Sequence, residues 1–148
     1  MHTFKIYPVI CYTILIFILN GCSRDVNNNP NCQFLLDLDV MFDVNLNLPQ
    51  FSQLNFTGSS VYIPNIGNSG IIVVNTGSSF LAWDAADPNE VLQPCSTLSA
   101  SGLFAVSGCE NQNRYELLTG QPTQNENLPC PLKNYRVQQS GTILTIIN

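Results

Sequence analysis

The chain has one histidine, His2, and five Lys plus Arg against ten Asp plus Glu in 148 residues. With a net charge of −5 and a pI near 4.4, it has no basic patch to neutralise phosphates, so nucleic acid is excluded as a main partner. Charged residues make up only 10%, against roughly 25% in an average soluble domain. Amides and hydroxyls must cover the surface instead. Because His2 lies at the extreme N-terminus, the rest of the chain has no side chain that ordinarily titrates near neutral pH. Histidine-based triads and zinc sites are excluded. The length suits a single domain with a short extension.

The N-terminus reads as an address. Lys5 precedes the uncharged run Val9 to Leu19, and Asn20-Gly21-Cys22 follows, the three-part pattern of a secretory signal. Pro8 on one side and Asn20-Gly21 on the other leave about half of the roughly 20 residues that cross a bilayer. Leu19-Asn20-Gly21-Cys22 resembles a bacterial lipobox, which implies lipidation of Cys22 and cleavage before it. Buried acyl methylenes contribute about 0.8 kcal/mol each, so the expected state is anchored to a membrane surface without spanning it. Ten acids and the bases Arg24, Arg114, Lys133 and Arg136 would remain, a mature net charge of −6. Ser23 to Asn31 is polar and aperiodic, as a solvated tether would be. The expected organisation is a signal peptide over 1–21, a lipidated cysteine and tether over 22–33, and a β domain over 34–148.

From Leu36 to Leu48 every second residue is apolar, with Asp37, Asp39, Met41, Asp43, Asn45 and Asn47 interleaved, and Pro49 ends the run. Strict period two predicts a half-buried strand, because a helix would put Asp on every face. Asp43-x-Asn45-x-Asn47 resembles the opening of a calcium loop, but Leu48 stands where that loop needs Gly and the closing Glu is missing. Further strands are predicted at Val61–Ile63, Ile71–Val74, Phe80–Trp83, Leu103–Val106, Arg114–Leu117, Tyr135–Gln138 and Ile143–Ile147. Turn-forming clusters such as Gly67-Asn68-Ser69-Gly70 and Thr119-Gly120-Gln121-Pro122 separate them. With no helical stretch predicted, the expected fold class is all-β, an antiparallel sandwich or barrel of short strands.

If Cys22 is lipidated, Cys32, Cys95, Cys109 and Cys130 remain, an even number suited to disulfides in an exported protein. Counting alone allows three pairings. No two are close enough for the paired knuckles of a structural zinc site.

Several segments carry a resemblance. Gly70 to Asn75, Phe80 to Asn89, Pro94 to Leu98, Tyr115-Glu116-Leu117-Leu118-Thr119-Gly120-Gln121-Pro122 and Pro131 to Val137 resemble a Rieske-type domain, the small Rieske-like lipoproteins of flavobacteria and other Bacteroidetes above all. The similarity runs from about Leu36 to the C-terminus. Rieske ferredoxins hold a 2Fe-2S cluster on two loops carrying C-x-H and C-x-x-H, with two thiolates on one iron and two imidazoles on the other. The resemblance puts Asp87 and Asn89 at the ligand positions of the first loop and Gly108 and Asn111 at those of the second. These positions are vestigial, and no cofactor is expected. High-potential members join their two loops by a disulfide, so the resemblance pairs Cys95 with Cys109, leaving Cys32 and Cys130 to each other.

The remaining chemical candidates have plainer readings. Asp87, Glu90 and Glu110 would converge at one tip and could bind a hard divalent cation, though exposed tip acids are commoner than metal sites. Trp83 could stack a ligand, but Phe80–Trp83 reads as a buried strand with the indole in the core. Ser96, Thr97 and Ser99 have no neighbouring base to activate them. Asn55-Phe56-Thr57 matches a eukaryotic glycosylation acceptor, which a bacterial lipobox makes irrelevant. Two functions remain in view. One is a non-enzymatic lipoprotein of the outer membrane, exported and disulfide-braced, that binds an envelope protein or ligand or serves structurally. The other is a 2Fe-2S electron carrier with nonstandard ligands such as Cys95, Cys109, Asp87 and Glu110.

Overall fold

A computed structural model describes residues 32–124 and 127–148. Cys22, the signal segment and nearly all of the tether lie outside them. The described chain forms nine strands and two short 3-10 turns. The strands are β1 (Met41–Asn45), β2 (Ser60–Ile63), β3 (Ile71–Asn75), β4 (Phe80–Asp84), β5 (Leu98–Ser101), β6 (Phe104–Ser107), β7 (Arg114–Glu116), β8 (Asn134–Ser140) and β9 (Ile143–Ile147). All pairings between them are antiparallel. The fold is all-β, as the alternating runs predict.

Six strands form one sheet in the order β1-β9-β8-β4-β3-β2, while β5-β6-β7 form a second, smaller sheet inserted between β4 and β8. Two cores result. β3 contributes to both, because alternate residues of a strand face opposite ways. Ile71 and Val73 join Val44, Leu54, Tyr135, Leu144 and Ile146 inside the large sheet. Ile72 and Val74 join Trp83, Leu98, Ala105, Tyr115 and Leu117 under the small sheet. A strand buried on both faces needs an unbroken apolar run, which Ile71-Ile72-Val73-Val74 supplies.

Three features differ from the sequence expectation. The long alternating run forms a strand only at Met41–Asn45. Its ladder with β9 runs from Met41–Ile147 to Asn45–Ile143, and upstream of it the Asn148 N–H donates to the Val40 carbonyl at 3.2 Å. Further upstream side chains hold the chain. Asn68 accepts from the Leu36 N–H and donates to its carbonyl, and Lys133 Nζ donates to the same carbonyl at 2.8 Å. Second, Pro49–Asn55 is a 3-10 helix where no helix was expected. Proline presets its first turn, and Phe51 and Leu54, three residues apart, turn one face into the first core. Third, β5 carries no strand signal in the sequence because Ser99, Ala100 and Ser101 are small and two of them polar, yet they pair with β6 through a turn at Gly102, whose φ is +59°.

Candidate functional site

The small sheet sets two loops side by side. The first leaves β4 and runs through residues 85–97; the second joins β6 to β7. Leu98 N–H donates to the Ala85 carbonyl, and Asp87 N–H donates to the Ser96 carbonyl at 2.8 Å, so the first loop closes on itself. The second is fastened to the first: Cys95 and Cys109 form a disulfide with Cα atoms 4.8 Å apart, and Gly108 N–H donates to the Cys95 carbonyl at 2.9 Å. A Cβ on Gly108 would come within 3.0 Å of that carbonyl oxygen, so the approach favours glycine here. A second disulfide, Cys32–Cys130, ties the start of the domain to the segment before β8.

Beneath the brace lies a buried polar network. Asp87 is wholly inaccessible to solvent. Its Oδ1 accepts from the Tyr115 hydroxyl at 2.5 Å and from the Asn89 N–H at 3.0 Å, and its Oδ2 accepts from Asn113 Nδ2 at 2.9 Å. Three donors thus meet the carboxylate where no cationic side chain does, as an interior anion requires. Asn89 completes the set. Its amide donates to the Tyr115 hydroxyl and to the Cys130 carbonyl, both at 2.8 Å, and its Oδ1 accepts from Cys130 N–H. Burial first, and then the bond to Asp87, push the Tyr115 phenol well above its ordinary pKa. A matching arrangement stands under the large sheet. Buried Asp84 accepts from Tyr135, from Asn68 and from the Ala86 N–H, and Tyr135 is likewise pushed up by burial and then by Asp84.

This places the four positions that the resemblance equates with cluster ligands. Asp87 points inward and is saturated with donors; Asn89 bridges the loop to Cys130; Gly108 has no side chain; Asn111 donates to Glu90 Oε1 at 2.7 Å. The nearest sulfurs, Cys95 and Cys109, are bonded to each other. A Rieske cluster requires two thiolates and two neutral imidazoles, so the donors present do not fit it. In the nonstandard set of Cys95, Cys109, Asp87 and Glu110, the two sulfurs are bonded to each other and Asp87 is turned into the interior. Nor do Asp87, Glu90 and Glu110 assemble, because Asp87 turns into the interior while Glu90 is held by Asn111. Among the described residues no group of three or more His, Cys, Asp or Glu is placed to hold a metal.

Trp83 is 7% exposed and its Nε1 donates to the Leu117 carbonyl at 2.9 Å, a core role with its polar edge satisfied. Sequence reasoning missed Tyr115 and Asn113 as functional companions of Asp87. Their only signal was alternation: both fall on the inward side around Arg114, where a buried polar residue needs a partner.

No protein-family model matches the chain, and neither does any curated protein. Among solved structures, the ferredoxin of carbazole 1,9a-dioxygenase from Nocardioides aromaticivorans IC177 is 19% identical over 64% of this chain and 90% of its own, with a TM-score of 0.43. A chain of the complex of reduced oxygenase and oxidized ferredoxin in carbazole 1,9a-dioxygenase is 15% identical, covering 62% and 82%, with a TM-score of 0.45. A protein described as an NADH-dependent nitrite reductase small subunit from Mycobacterium tuberculosis is 13% identical, covering 76% and 97%, also at 0.45.

Proposed function

We propose that this protein is a metal-free Rieske-like module of the bacterial cell envelope, exported and lipid-anchored through Cys22 to the outer membrane, that works by binding rather than by catalysis or electron transfer. The observation that carries this reading is the fate of the loop residues. Positions that would have to present thiolates and imidazoles to iron carry instead a buried carboxylate, two amides and a glycine, and the carboxylate and amides are engaged within the protein. The Cys95–Cys109 bridge and the Asp87–Tyr115–Asn113 network then do mechanically what a cluster would otherwise do, holding the two loops in one place. A rigid pair of loops on a sheet is a scaffold for recognition. Ser96 is buried with its hydroxyl donating to the Gln93 carbonyl, which leaves no activated nucleophile at the tip.

Intact-mass measurement of the protein extracted from envelopes tests the reading. The expected species begins at an acylated Cys22, is lighter by four hydrogens for two disulfides, and retains no metal under native conditions. An unprocessed N-terminus, or a mass carrying two iron and two sulfide, would contradict it.

A further inference from the structure

The strand alternation that sends Leu98, Ala105 and Tyr115 into the second core sends Ser99, Ser101, Phe104, Val106 and Arg114 to the opposite face of the small sheet. Together with Gln112 and Gln124 these residues line a groove of about 360 Å³, within the size range of small-ligand sites. Ser99, Val106 and Arg114 lie in one cross-strand row. Phe104 lies diagonally beside Arg114, whose guanidinium carbon sits 4.0 Å from the centre of the phenyl ring. That stacking orients a planar, permanently charged donor.

Arg114 has no ion-pair partner among the described residues, and its buried Nε has no hydrogen-bond partner there. The other polar groups on the groove are hydroxyls and amides, all neutral. Glu116 shares the outward face of β7 and pairs with Phe104, but it accepts a hydrogen bond from Thr119 and is not among the residues that line the groove. Gln112 is held there by the second loop: its φ is +46°, unusual for a residue with a side chain, and its N–H donates to the Cys109 carbonyl, so the disulfide-braced loop fixes one wall.

We propose that this groove binds a small hydroxylated carboxylate of the uronic-acid type. Arg114 would receive the carboxylate, and Ser99, Ser101, Gln112 and Gln124 would meet the hydroxyls. One cation, with no acid among the described lining residues, matches one negative charge. A polyanion would gain nothing further from a protein whose mature net charge is −6. The inference deepens the binding role proposed above by naming a ligand class and a surface for it.

Saturation-transfer NMR on the full mature lipoprotein in detergent, with D-glucuronate as probe, provides the test. Transfer to glucuronate is expected, with little to D-glucose or acetate, and Arg114→Gln should weaken it by about tenfold or more, the loss of one charge-assisted contact. Ser99→Asp, at an exposed position, adds a carboxylate to the groove and should weaken binding without threatening the fold. Arg136→Gln, on exposed β8, should leave it unchanged. Absence of transfer to glucuronate, equal transfer to glucose or acetate, or binding that survives both groove variants would overturn the proposal. Iron and labile sulfide measured on the same preparation judge the metal-free reading separately, since either result there is compatible with either result from the groove.

Discussion

Removing the Asp87 carboxylate should be among the most damaging single changes available to this domain. Asp87→Ala leaves the Asn89 N–H, Asn113 Nδ2 and the Tyr115 hydroxyl facing a small cavity in a region closed to water. A buried donor left without a partner costs about 1–3 kcal/mol. Relaxation allows Tyr115 and Asn113 to recover part of the three losses, so about 4 kcal/mol is expected, against a typical total stability of roughly 5–15 kcal/mol. Tyr115→Phe deletes one donor to Asp87 and one acceptor from Asn89 and should cost about 2 kcal/mol. Because the two side chains touch, their effects should not add. The double variant should recover about 1–2 kcal/mol relative to the sum. Urea unfolding followed by the fluorescence of the single tryptophan, Trp83, reports each corner of this cycle. A coupling energy indistinguishable from zero, or a loss under about 0.5 kcal/mol for Asp87→Ala, would refute the claim that this network holds the loops together.

Three further outcomes follow from the same geometry. Paired Cys→Ser replacement of Cys32–Cys130, with 98 residues of separation, should lower Tm more than replacement of Cys95–Cys109, with 14, because chain entropy assigns about 4.7 and about 3 kcal/mol to loops of these sizes; calorimetry in the reverse order would contradict it. Tyr115 and Tyr135 are both raised above the unfolded value near 10, so the folded state keeps protons that the unfolded state releases, and stability is present below about pH 10 and falls as pH climbs above it. Tyrosinate absorbance from these two residues should therefore rise together with loss of structure in alkaline titration, and ionisation in the intact fold would count against the account. Gly120→Ala puts a Cβ 2.6 Å from the Trp83 ring at a φ of +72°, so a loss of about 3 kcal/mol and a shifted Trp83 emission are expected, while an unshifted spectrum with native stability would count against the packing described.

Alternation made most of the strands legible, since a half-buried strand writes its two faces directly into the sequence. Ile71–Val74 was legible as a strand from its unbroken β-branched run, while its burial on both faces depends on the two sheets that cover it. What alternation does not encode is the length of a partner. Residues 36–40 carry the same pattern as β1 but lie outside its ladder with β9, which begins at the Met41–Ile147 pair. β5 escaped notice because its outward residues are serines, whose signal is the same in a strand as in a turn. The Rieske-type resemblance implied the Cys95–Cys109 pair and left Cys32 and Cys130 to each other by elimination; both bridges are formed. It also put Asp87 at the site, but on the assumption that a loop acid faces solvent. Burial of that acid depends on Asn113, from the second loop, and Tyr115, from β7, a long-range fact that local sequence does not carry.

Metal analysis of the mature protein, produced in cells with abundant iron and an active cluster-assembly pathway, bears most directly on the central claim. The account predicts a colourless preparation with negligible iron and labile sulfide, and with Cys95 and Cys109 resistant to alkylation until reduced. Visible absorbance accompanied by two iron and two sulfide per chain would show that these loops hold a cluster after all.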